Sequence, residues 1–195
     1  MAYILIKSQT ASNSASVDFV NGASDVVFDG TYKEYVITYT NYSPATDERQ
    51  LHFQVDTGTA TTYGQNTTTA TAYAGNRADS GWNELGVPDG GKGNDSGKIK
   101  LTYSGEGTHA GYNSSGELRL FDPAGGTFMK MWENRSITNY TGNDSAAQTY
   151  AIDYYSSGYV HQTSALTRIQ FVAATSFGST SGNIATGIFT LYGIT

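Results

Sequence analysis

A chain of 195 residues with a formal net charge of −6, no cysteine and only 11 Lys and Arg residues, scattered without a basic run, excludes several functional classes at once. Dispersed cations leave no footprint for nucleic acid, the missing cysteines rule out disulfides, thiolate metal sites and cysteine nucleophiles, and no apolar run approaches the roughly 20 residues of a membrane-spanning helix. Charged residues make up 14% against about 25% in an ordinary soluble domain, so much of the surface must be solvated by Ser, Thr, Asn and Tyr or covered by other subunits.

The length fits one domain, residues 1–195. Gly 23, Tyr 15 and only three Pro, with good helix formers never clustered at helical spacing, point to an all-β chain with many turns. The segment Met1-Ala2-Tyr3-Ile4-Leu5-Ile6-Lys7 lacks the basic start and long apolar core of a secretory leader and reads as a strand from Ala2 to Lys7. Further strands are expected at Ser16 to Val20, Tyr32 to Asn41, Leu51 to Thr57, Thr68 to Ala74, Lys98 to Tyr103, Gly116 to Phe121, Thr127 to Asn134, Thr149 to Tyr154, Ala165 to Ala174 and Ile184 to Ile194. Turn chemistry separates them at Asn21-Gly22, Asp29-Gly30, Ser43-Pro44, Asp89-Gly90-Gly91, Asp122-Pro123 with the following Ala124-Gly125-Gly126, and Ser181-Gly182-Asn183. Short strands with regular turns, and no helices to carry parallel crossovers, predict an antiparallel β-sandwich of jelly-roll type.

Alternation assigns faces. Leu51, Phe53 and Val55 oppose His52 and Gln54; Leu118 and Leu120 oppose Glu117 and Arg119; Ile169, Phe171 and Ala173 oppose Arg168 and Gln170, each strand having one polar or wet face. Two strands are apolar or aromatic on both sides: Tyr35, Ile37 and Tyr39 against Val36 and Thr38, and Phe128, Lys130 and Trp132 against Met129 and Met131. Such strands are either central in a sandwich or part of a subunit contact. The stretches Thr57 to Thr71 and Gly75 to Gly97 read as long loops at one end of the sandwich, and Gly-Asn-Asp-Ser occurs twice, at Gly93 to Ser96 and Gly142 to Ser145.

No catalytic set emerges. His52, His109 and His161 are isolated, and no Gly-x-Ser-x-Gly elbow, His-Glu-x-x-His pair or phosphate loop is present. Glu34, Asp56, Glu117, Glu133 and Asp153 sit at polar-facing strand positions, where solvation is the usual outcome. The oxygen-rich segments Asp89 to Ser96 and Asn143-Asp144 offer hard ligands to calcium, but at no EF-hand spacing, and no cofactor is expected. The Asn-x-Ser/Thr triplets beginning at Asn41, Asn66, Asn94, Asn113, Asn134, Asn139 and Asn143 are chance matches in an Asn- and Thr-rich chain. Tyr63, Tyr73, Trp82, Tyr112, Tyr140 and Tyr159 lie in or beside Gly/Asn/Ser-rich stretches, a pairing that suits either stacking on a sugar ring or a subunit contact.

Tyr32-Lys33-Glu34-Tyr35-Val36-Ile37, Leu51-His52-Phe53-Gln54-Val55-Asp56, Gly116-Glu117-Leu118-Arg119-Leu120-Phe121-Asp122-Pro123 and the ending Gly182-Asn183-Ile184-Ala185-Thr186-Gly187-Ile188-Phe189-Thr190-Leu191-Tyr192-Gly193-Ile194 resemble small structural, decoration or tail-associated proteins of tailed bacteriophages, particularly marine ones. The order of segments is the same over most of the chain, with Thr190 standing where Lys is frequent. The resemblance implies a non-enzymatic virion component, an oligomeric sandwich on the particle exterior, serving as a head decoration, knob, tail or fibre-head subunit and contributing to host attachment. Its implied partners are copies of itself, a trimer being one arrangement, and other virion proteins. Neither nucleic acid nor membrane insertion is implied. A lectin-like module for host-surface glycans is the alternative reading, and a depolymerase a third that lacks a locatable carboxylate pair.

Overall fold

Strands with one apolar face are satisfied when two sheets bury those faces against each other, and the computed structural model of the chain has that form. It describes residues 1–59, 61–79, 81–88, 95–103, 108, 111–141, 149–175 and 181–195, without the side chains of residues 95, 96, 140 and 141. The strands are β1 (Tyr3–Ser14), β2 (Val17–Val20), β3 (Glu34–Pro44), β4 (Gln50–Thr57), β5 (Asn66–Arg77), β6 (Asn83–Gly86), β7 (Asp95–Ser96), β8 (Ile99–Lys100), β9 (Asn113–Phe121), β10 (Lys130–Thr141), β11 (Thr149–Val160), β12 (Leu166–Ala174), β13 (Ser181–Gly182) and β14 (Ile184–Ile194). All registered pairs are antiparallel. A nine-stranded sheet runs β1-β14-β3-β9-β10-β11-β5-β6 with β7 beside β5, and a five-stranded sheet runs β13-β12-β4-β8 with β2 beside β12. The fold is thus an all-β, jelly-roll-like antiparallel sandwich.

The core lies between the sheets. Tyr35, Ile37 and Tyr39 of β3, Trp132 of β10 and Phe189 of β14 face Leu51 and Phe53 of β4 and Phe171 of β12, all buried. Edge-to-face contact of Phe53 with Trp132 (5.1 Å between centroids) and a tilted contact of Phe171 with Phe189 (5.1 Å) stitch the layers together. Tyr39 and Asn134 pair inside: the Tyr39 hydroxyl donates to Asn134 Oδ1 (2.7 Å), while Asn134 Nδ2 donates to the Leu101 carbonyl (3.0 Å), whereas the Tyr35 hydroxyl and Trp132 Nε1–H are buried without a partner among the described residues. Gly116 makes this possible, since a Cβ there would lie 2.4 Å from the Arg135 carbonyl and 2.6 Å from the Tyr39 hydroxyl.

Several expectations are corrected. The polar face of β4 is not wet: His52 and Asp56 are 1% and 0% exposed and Gln54 is also buried. The connection after β4 folds back over this face, because Asp56 accepts hydrogen bonds from the backbone N–H of Thr57, Thr62 and Tyr63 and from Gln65 Nε2. Beside it, Gln54 Nε2 donates to Gln170 Oε1 (2.5 Å) and Gln170 Nε2 to Asp18 Oδ1 (2.7 Å). Of the two alternatives for the strand Thr127 to Asn134, burial on both sides is excluded: Lys130 and Trp132 are buried, whereas Phe128, Met129 and Met131 are exposed. Lys130 is tolerated inside because its ammonium donates to the carbonyls of Gly125, Phe128 (2.9 Å) and Thr163 (3.1 Å). The loop expected from Gly75 to Gly97 contains β6 and β7, and the strand expected from Lys98 to Tyr103 shortens to β8. The expectations on His109, on the calcium segment Asp89 to Asn94 and on Gly142 to Ser145 fall outside the described residues.

Candidate functional site

The two outer faces differ. That of the small sheet is closed by the hydrogen-bonded network just described, in which burial, reinforced by donation to Asp18 Oδ1 (2.9 Å), pushes the Tyr63 hydroxyl up to about 12. That of the large sheet is open. Period-two alternation sends Ala70, Ala72 and Ala74 of β5 outward, beside Ser157, Tyr155 and Asp153 of β11 and Glu133, Arg135 and Ile137 of β10. Alanine is a poor strand former, and its short side chain on successive outward positions leaves a hollow. The result is a groove of about 510 Å³ over Ala70, Ala72 and Ser157, bordered by Tyr155, Arg135, Glu117 and Glu133. A second hollow on the same face is lined by Ala74, Asn76, Asn83, Leu85, Ile137 and Asp153.

The rim is organised electrostatically. Arg135 grips Asp153 through two hydrogen bonds, 3.0 and 2.7 Å, the Tyr155 hydroxyl donates to Asp153 Oδ2 (2.7 Å), and the guanidinium lies 5.3 Å from the Tyr155 ring centroid. The Arg135 hydrogen bonds hold the Asp153 carboxyl below the usual carboxylate range against the opposing effect of burial, and hydrogen bonding to Asp153 raises the Tyr155 hydroxyl. In the neighbouring row Arg119 lies among Glu34 (3.0 Å), Glu133 (3.4 Å) and Glu117 (3.8 Å). Four carboxylates against two guanidiniums, 4 − 2, leave two negative charges on this patch. Carboxylate acceptors, guanidinium donors and a half-exposed tyrosine ring around a shallow groove suit a hydroxyl-rich ligand or the polar part of a protein contact.

Of the aromatic residues singled out from the sequence, two meet. Tyr73 stacks on Trp82 (6.4 Å, 7°) and contacts Tyr103 (4.2 Å), while Trp82 meets Tyr150 edge-on (5.4 Å). Trp82 reaches the β5 backbone only because residue 75 is glycine, a Cβ there falling 2.4 Å from its ring. Tyr73 is buried, its hydroxyl raised by hydrogen bonding to Glu84 and then Tyr103, and the Trp82 Nε1–H donates to Glu84 (3.0 Å). Tyr140 stands opposite Tyr150 in the register, its side chain outside the described set. The other three lie apart: Tyr63 in the small-sheet network, Tyr159 stacked on His161 (4.9 Å) and Tyr112 beside Asn41, Ser43 and Thr186. Tyr155 and Arg135 of the open groove were not among the predicted site residues. The alternation Thr69-Ala70-Thr71-Ala72-Tyr73-Ala74 was the signal for its floor.

No family model matches the chain, and neither does any curated protein or solved structure.

Proposed function

We propose that this chain is a non-enzymatic structural protein of a tailed-bacteriophage virion, an oligomeric sandwich on the particle exterior that packs through the open face of its large sheet. The observation that carries the reading is the asymmetry of the two outer faces. One is sealed by its own polar network, while the other presents Tyr3, Leu5, Met131, Ile137, Tyr155 and Ile188, all substantially exposed on one side of one sheet. Apolar side chains gathered on one face of a chain with so few charges fit a surface that copies or neighbours cover. The phage resemblance of the sequence supplies the setting. Two measurements test it together: native mass spectrometry of the purified chain, expected to give a homo-oligomer, and peptide mass spectrometry of purified particles, expected to contain it. A chain that stays monomeric at high concentration and is absent from particles overturns the reading.

The groove at Tyr155 favours an alternative reading, in which the open face is left free to recognise a host-surface glycan instead of packing against copies. Its mixture of acceptors, donors and an aromatic face matches the hydroxyls and apolar ring face of a sugar. Titration calorimetry against host-surface polysaccharide is expected to give binding that Tyr155→Ala weakens at least about tenfold, equivalent to about 1.4 kcal/mol; equal binding by both proteins removes this role.

A further inference from the structure

One boundary of the large sheet is unguarded. β1 runs for 12 residues along its edge and, among the described residues, pairs with β14 alone. An edge strand presents a row of unpaired N–H and C=O groups that can template another strand, and proteins blunt such edges with charges, prolines, bulges or short strands. β1 carries such devices at its two ends, a register slip against β14 between Leu5 and Lys7 and, at the other end, Asn13 with positive φ and a Ser12 N–H that donates to Ser14 Oγ (3.1 Å), leaving the stretch around Thr10 open. From Ser8 to Ser14 it has neither charge nor proline, and Ser8, Thr10, Ser12 and Asn13 are exposed. The opposite edge is built differently: β6 is four residues long and carries Glu84.

We infer that β1 pairs antiparallel with β1 of a second copy about a two-fold axis perpendicular to the sheet, continuing the large sheet from one subunit into the next. This adds an edge contact to the face packing of the assembly proposed above and rests on that reading. The occupant, a second copy, follows from the homo-oligomer proposed above, and charge locates the contact. Each chain carries a formal net charge of −6, so two copies repel in general. β1 and β14 nevertheless hold a single charge between them, Lys7, and the first acidic residue of the chain is Asp18. The β1 edge is therefore where two copies approach with least repulsion.

The symmetry also selects a register. An axis perpendicular to the sheet keeps outward residues outward, so residues of equal parity oppose one another. Centring on Thr10, midway between Lys7 and Asn13, sets Thr10 against Thr10 of the second copy, Ser8 against Ser12 and Lys7 against Asn13. Hydroxyl pairs of this kind are favourable cross-strand partners, and no like charges oppose. Ile188, opposite Thr10 on β14 and exposed, then flanks the axis from each subunit, extending the apolar face across the junction.

The absence of native cysteine makes the test clean. Thr10→Cys is expected to form a covalent dimer on mild oxidation, since directly opposed strand residues lie within disulfide reach, whereas Ile137→Cys, on the same face but far from the edge, is expected to stay uncrosslinked. Thr10→Lys, which opposes two ammonium groups, is expected to weaken association at least about tenfold with an unchanged far-ultraviolet circular dichroism spectrum; if that variant does not fold, the Thr10→Cys result decides. A wild-type chain that is monomeric at every concentration overturns both the assembly and this contact. An oligomer that Thr10→Lys leaves intact and in which Thr10→Cys does not crosslink overturns the edge contact alone.

Discussion

Asp56 shows how a single buried carboxylate can organise a surface. Fully removed from solvent on β4, it would be costly alone, yet three backbone N–H groups and the Gln65 amide converge on it and tie Thr57, Thr62, Tyr63 and Gln65 down over the polar side of the strand. Asp56→Asn replaces one acceptor oxygen with an NH₂ that confronts those donors. It is expected to lower stability by about 3 kcal/mol in urea denaturation, as hydrogen bonds to a charged group are lost and buried donors go unsatisfied. A change below about 1 kcal/mol would mean that the connection is held by other contacts. Asp153 acts at the open face and titrates. Its folded value is depressed by Arg135, so the stabilisation is complete above the unfolded carboxyl value of about 3.9 and is lost as pH falls through the lower folded value. The melting temperature should therefore drop with acid below about pH 4, and Arg135→Gln should flatten that slope; identical acid slopes for both proteins would show that the pair does not couple to folding.

At the level of elements, the close approach of β9 and β10 depends on Gly116. A methyl group there meets the Arg135 carbonyl, which is backbone and cannot swing aside, as well as the Tyr39 hydroxyl that holds Asn134. Gly116→Ala is expected to destabilise the fold by about 3 kcal/mol, at the upper end of overpacking costs, with lost amide protection along β9 and β10; unchanged hydrogen exchange would show that the strands part without cost. The elements most legible in the sequence are those in which alternation coincides with clear turns: Ile184–Ile194 is β14 to the residue, and β4 and β12 begin within one residue of where alternation puts them. β6 and β7 were hidden because Asn83–Gly86 and Asp95–Ser96 are short and polar, and gain strand geometry only by pairing with β5. The buried polar side of β4 was hidden for a related reason. Alternation reports polarity, and polarity predicts solvent only until a neighbouring segment supplies the hydrogen bonds. The groove was half legible: Glu117, Glu133 and Asp153 were noted as strand carboxylates, but it takes the register of β9, β10, β11 and β5 to bring them to the alanine floor and Tyr155.

For the whole molecule, the decisive quantity is the balance between net charge and contact chemistry. Each subunit carries −6, and the proposed contact through β1 holds Lys7 as the single charge of the edge strand and its neighbour β14. Repulsion between copies is thus long-ranged and attraction short-ranged, built from strand hydrogen bonds and apolar contact. Salt separates the two. The Debye length shrinks from about 30 Å at 0.01 M to about 3 Å at 1 M, which removes the repulsion between exposed acidic residues while leaving backbone pairing and apolar burial in place. Association measured by sedimentation velocity is accordingly expected to strengthen as sodium chloride is raised over that range, and to strengthen further in sulfate, which favours apolar burial. An interface built instead on ion pairs, for instance Glu117 and Glu133 of the open face meeting cations on another copy, would weaken over the same titration. Dissociation at high salt would therefore move the contact away from β1 and onto the charged rim of the groove.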